Sequence, residues 1–87
     1  MHEASLMRGL IRKIDSLAEA ENAKQVTTVR VWLGALSHMS PDHFREHFNE
    51  SSRGTIGEGA ILEIEQSSDI FHANAQELLL RSIEVET

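Results

Sequence analysis

Residues 26–34 read Val26-Thr27-Thr28-Val29-Arg30-Val31-Trp32-Leu33-Gly34, and here the apolar pattern of the chain shifts to a period of two. Val29, Val31 and Leu33 fall on one side of that alternation, and Thr28, Arg30 and Trp32 on the other. Successive side chains of an extended backbone point to opposite faces, and β-branched residues suit a pleated, half-buried surface. The stretch is therefore expected to be a strand that starts at Val26, ends at Gly34 and turns one face to a core.

On the N-terminal side the spacing differs. From Ala4 to Glu21 the residues Leu6, Met7, Leu10, Ile11, Ile14, Leu17 and Ala18 recur at steps of three and four, with Arg8, Arg12, Lys13, Asp15 and Glu19 between them. This is the pattern of an amphipathic helix, and Asn22 suits its C-terminal end. On the other side, Ser40-Pro41-Asp42 sets an N-cap before a proline at the first helical position. A second helix is expected over about 41–52, anchored by Phe44 and Phe48 one turn apart, with Gly54 as its stop.

Gly54, Thr55, Gly57, Glu58 and Gly59 make a loop. Ala60, Leu62 and Ile64 then alternate with Ile61, Glu63 and Glu65 as a second strand, broken by Gln66-Ser67-Ser68-Asp69. A last strand is expected from about Glu77 to Val85, although Leu78-Leu79-Leu80 alone also fits a helix.

The order helix, strand, helix, strand, strand predicts an α+β fold in which two helices pack on one face of a three-stranded mixed β-sheet. Each helix has one apolar stripe to hide and the strands mostly have one apolar face. The expected core is Leu6, Leu10, Ile14, Leu17, Val29, Val31, Phe44, Phe48, Leu62, Ile64 and Ile83.

At 87 residues the chain has room for one domain, 1–87, with a modest core. Eight Lys and Arg against 14 Asp and Glu give a formal net charge of -6, which argues against nucleic acid or an anionic membrane as a partner. Without cysteine there is no disulfide, thiolate zinc site or cysteine nucleophile. No apolar run is long enough to span a membrane, and the start lacks the basic flank and apolar stretch of an export signal, so the cytoplasm is the expected location.

The chemistry-bearing residues are five histidines. The chain opens Met1-His2-Glu3. A histidine second from a free N-terminus offers a divalent ion the terminal amine, its own deprotonated amide and its imidazole, and such nitrogen-rich, square-planar coordination suits Ni(II) or Cu(II). His43 and His47 stand four apart on the second expected helix, with His38 just upstream. Such a pair can share a metal on one helix face, but a surface pair beside the buried Phe44 and Phe48 is the simpler reading.

His72 sits in a polar linker. Glu58 reads as a loop residue, and Glu63 and Glu65 as the solvent face of a strand rather than an acid-base pair. Gly54, Gly57 and Gly59 lack the Gly-Lys-Ser/Thr ending of a phosphate loop, and no serine has a nucleophile context, so no enzyme is expected. Trp32 and Met39, near Leu36, are candidates for an apolar contact surface, with core or dimer packing as the simpler reading.

In order, the pieces are Met1-His2-Glu3 leading into Ser5-Leu6; Val29-Arg30-Val31 running to Leu33-Gly34-Ala35-Leu36-Ser37; Pro41; Gly54-Thr55; Glu58-Gly59-Ala60; Leu62-Glu63-Ile64-Glu65; and Arg81-Ser82-Ile83-Glu84-Val85-Glu86. Over residues 1–66 and 77–87 this series resembles the nickel-incorporation metallochaperones of hydrogenase maturation, the HypA/HybF family, some of which also serve urease. The resemblance implies a Ni(II) site to which Met1 gives its terminal amine, His2 its imidazole and backbone nitrogen, and Glu3 a backbone nitrogen or carboxylate. It also implies delivery for maturation of a nickel enzyme, [NiFe]-hydrogenase first among them, with a maturation GTPase and a hydrogenase large-subunit precursor as partners.

One departure is large. The family carries a zinc module on two Cys-x-x-Cys pairs between the second and third strands, and here residues 67–76 form only a short linker, Ser67 to Gln76. No structural zinc is expected, since a closed zinc site needs four ligands and His72 is one. Two rival readings follow: a protein-interaction module that kept the fold without delivery, and a metal buffer or sensor built on His38, His43 and His47.

Overall fold

A computed structural model describes residues 3–87, with side chains from Ser5 onward. Five elements follow one another: α1 (Glu3–Ala20), β1 (Gln25–Leu33), α2 (Pro41–Ser51), β2 (Ile61–Gln66) and β3 (Leu78–Glu86). The expected order and element types hold, and the C-terminal leucine run is strand, not helix.

β1 is the middle strand, in the order β2-β1-β3. It pairs parallel with β2, Val29 opposite Leu62 and Val31 opposite Ile64. It pairs antiparallel with β3, so the sheet is mixed as expected. The parallel pair requires a crossover, and α2 supplies it.

Two irregularities explain apolar spacings that break a strict alternation. Between β1 and β3 the register runs from Val26↔Val85 to Thr28↔Glu84, and from Arg30↔Ser82 to Val31↔Leu80. Thr27 on β1 and Arg81 on β3 are the extra residues, and each moves the pleat by one position. Val26 thereby joins Val29, Val31 and Leu33 against the helices, and Leu78 and Leu80 join Ile83 and Val85.

The helices cover that face. Phe44 and Phe48 of α2 are fully buried, and α1 contributes Met7, Leu10, Ile11, Ile14 and Ala18. The expected core is corrected at Leu17, which is 42% exposed. The centre of the stripe runs Met7, Ile11, Ile14, Ala18, leaving Leu17 on its margin. α1 ends as its sequence implied: Asn22 adopts φ 52°, while the Ala23 and Asn22 amides donate to the Ala18 and Glu19 carbonyls. This is the paired bonding of a Schellman cap. At the start of α2, the Ser40 hydroxyl accepts the His43 amide at 3.2 Å.

The opposite face carries Arg30, which donates to Glu63 on β2 at 2.9 Å and to Glu84 on β3. Residues 67–77 do not hang free from the sheet. The Ser67 amide donates to Leu33, the Gly34 amide to Glu77, and the Leu36 amide to Ala75. Ala75 is buried, the His72 ring lies 4.8 Å from Trp32, and the Arg81 guanidinium lies 6.0 Å from the indole.

Candidate metal centre

Of the expected ligands, Met1 and His2 lie outside the described residues, and Glu3 is described only as the first residue of α1. Leu6 lines a cavity of about 470 Å³ together with Leu36, His38, Met39, Glu77 and Leu79. The N-terminal turn of α1 thus sits where the segment leading into α2 meets the first residues of β3. His38 is held there at φ 59°, a left-handed backbone that few side chains tolerate.

His43 and His47 do come together. Their Nε2 atoms lie 3.1 Å apart and their ring centroids 4.4 Å apart, with an angle of 54° between the planes. The buried Phe44 and Phe48 set the rotation of α2, which turns this pair away from the core. His38 does not complete a triad with them: among the described residues no group of three or more His, Asp or Glu is placed to hold a metal.

The remaining candidates have structural duties. His72 packs on Trp32 and accepts the Asn74 amide at Nδ1, 2.9 Å away, which leaves its proton on Nε2. Glu58 accepts the Gly54 amide at 3.3 Å, in a loop where Gly54 and Gly59 take positive φ. Glu63 is spent on Arg30, whose guanidinium is held above its ordinary range by Glu84 first and then Glu63.

Trp32 and Met39 form no exposed contact surface. Trp32 is 4% exposed beneath the 67–77 segment and Met39 belongs to the core, leaving Leu36 alone at the surface. The covering of Trp32 by His72 and Arg81 went unread in the sequence, because a polar linker carries no periodicity to show where it folds. Among the described residues no helix is long and apolar enough to cross a membrane.

With this geometry established, the comparisons with known proteins are direct. Residues 1–77 match the sequence model of the family described as hydrogenase/urease nickel incorporation, metallochaperone, hypA. The hydrogenase maturation factor HypA of Archaeoglobus fulgidus is 45% identical over 64 residues, which are 74% of this chain and 58% of that protein. That of Aquifex aeolicus is 41% identical over 68 residues, 76% and 59% of the two chains. The chain thus spans less than two thirds of the length of the curated relatives it matches.

In three dimensions the solution structure of the Ni metallochaperone HypA from Helicobacter pylori superposes with a TM-score of 0.80 at 22% identity, over 99% of this chain and 98% of that one. The likeness of fold extends through β3, beyond residue 77 where the match to the family model ends. Family model, relatives and fold agree, and the chain belongs to the HypA family of hydrogenase/urease nickel-incorporation metallochaperones.

Proposed function

We propose that this chain is a nickel carrier, which holds Ni(II) at Met1-His2-Glu3 and passes it on for maturation of a nickel enzyme, [NiFe]-hydrogenase first among them. The observation that carries the reading is the family match, which begins at Met1 and so includes His2 and Glu3. The ion is cargo, and the chain's chemistry is binding and release without catalysis.

The amine of Met1, the imidazole and amide nitrogen of His2, and an amide nitrogen or carboxylate from Glu3 form the ligand set. A cation at the start of α1 meets the positive end of the helix dipole. Deprotonated amide nitrogens offset that field, because each brings a negative charge to the ion. Termini open easily, so ligands from one end of the chain release metal without unfolding the core. The chain works as one domain, 1–87, in the cytoplasm, with a maturation GTPase and a hydrogenase large-subunit precursor as partners. The segment 67–76 stands where the family's zinc module would sit and binds no zinc.

Calorimetry with Ni(II) tests the site. The parent chain is expected to bind at the N-terminus, and His2→Ala or acetylation of the Met1 amine to remove that binding; unchanged binding in both would overturn the assignment. Affinity falls as pH drops through the imidazole range near ~6.5, because a ligand nitrogen must be unprotonated. Delivery is tested in a strain lacking its own nickel metallochaperone at limiting nickel. Rescue by the parent and not by His2→Ala supports it, whereas equal rescue by both removes His2 from the mechanism.

A further inference from the structure

The histidine pair on α2 lies outside the N-terminal ligand set, and its geometry is that of a chelate. Metal–nitrogen bonds to imidazole are about 2.0–2.1 Å, so two imidazole nitrogens bound side by side on one ion stand about 2.9–3.3 Å apart for angles between square and tetrahedral. The His43 and His47 Nε2 atoms stand at 3.1 Å. Without metal, that contact is a hydrogen bond in which one ring's N–H donates to the other's lone pair; replacing the shared proton by a cation leaves both nitrogens nearly where they are.

The helix holds this spacing. Phe44 and Phe48 are fully buried at the neighbouring positions, and the Ser40 cap and Pro41 fix the first turn, so neither histidine backbone is free to drift. His43 is exposed and His47 half-buried, which leaves an approach from solvent. Nitrogen donors on an acidic protein suit a borderline divalent ion over Ca(II) or Mg(II), which prefer oxygen.

We infer that His43 and His47 form a second metal site, beside the Met1-His2-Glu3 set, which holds a divalent transition ion such as Ni(II) or Cu(II) through both Nε2 atoms. The spacing His43-Phe44-Arg45-Glu46-His47 also matches the paired-histidine motif of certain zinc hydrolases. A hydrolase needs a third protein ligand, and none is placed for it among the described residues.

The test uses the full chain with His2→Ala, which removes the N-terminal site. Titrated with Cu(II) and with Ni(II), this variant is expected to bind one further equivalent and to broaden the imidazole proton signals of His43 and His47 ahead of those of His72. Adding His43→Gln or His47→Gln should weaken that equivalent at least tenfold, since one imidazole forms no chelate. A circular dichroism melt of each variant confirms that α2 remains folded. Absence of binding by the His2→Ala chain, or binding that persists in the Gln variants, would overturn the site. Loss of the N-terminal equivalent in the Gln variants with His2 intact would show one shared site and overturn a second one. Failure of the N-terminal reading alone would show instead as the same stoichiometry in parent and His2→Ala.

Discussion

Gly34 directly follows β1, at a place where no side chain fits. A Cβ built on it would lie 2.5 Å from the Ala75 carbonyl carbon and 2.7 Å from the Asn74 carbonyl oxygen, both backbone atoms that cannot swing aside. Gly34→Ala is expected to cost about 1–3 kcal/mol, the range for forcing extra volume into a packed site, and to loosen residues 67–77 first. Chemical denaturation measures the cost, and amide exchange at Leu36 and Ala75 locates it. Phe48→Ala removes a fully buried ring and should cost about 3–5 kcal/mol in the same assay. The two phenylalanines were legible from their one-turn spacing. The reason for Gly34 was not, because the atoms that forbid a side chain there come from a loop some forty positions away. The site divides in the same way: His43 and His47 announce their adjacency by spacing four, whereas nothing local to His72 points to Trp32.

At the scale of elements, β3 is decided by one residue. Leu78 and Leu80 are separated from Ile83 and Val85 by an odd step, which in a regular strand would send the two pairs to opposite faces. The bulge at Arg81 brings both to the core. Deleting Arg81 makes that step even, so a regular strand keeps both pairs on the core face, and the deletion is expected to be tolerated about as well as Arg81→Ala; thermal melts of the two variants compare them directly, and a much lower melting temperature for the deletion would mean that the bulge itself is needed. Leu78-Leu79-Leu80 by itself carries no alternation, which left that run open to a helical reading.

Arg30 ties all three strands through Glu63 and Glu84. Its guanidinium is held above the ordinary range, so Arg30 itself stays charged at every working pH and its own part in the contact is lost only as pH rises past that range. Arg30→Gln leaves two carboxylates facing a neutral side chain. Its deficit in melting temperature should narrow as salt is added, since exposed charges are screened over about 3 Å at 1 M salt.

For the molecule as a whole, the buried cluster from Met7 to Leu62 contains no metal ligand. The fold is thus expected to stand without nickel, and melts with and without chelator should coincide at neutral pH; collapse in chelator would show that metal binding and folding are one event. The layered plan was readable because four periodicities, two helical and two alternating, leave few ways to pair their apolar faces. The mode of closure was not, since residues 67–77 act through backbone bonds to Leu33, Gly34 and Leu36 that any sequence offers.

The burial of Trp32 under that closing segment gives the protein an optical gauge of its own. The chain has one tryptophan and no tyrosine, so its near-ultraviolet emission has a single origin, beneath His72 and beside Arg81. Lifting the segment would wet the indole and move its emission to the red, while events confined to α2 would leave the colour unchanged. A partner that docks on the sheet face and one that collects an ion from the helix face are therefore distinguishable in a cuvette, without a label and in real time.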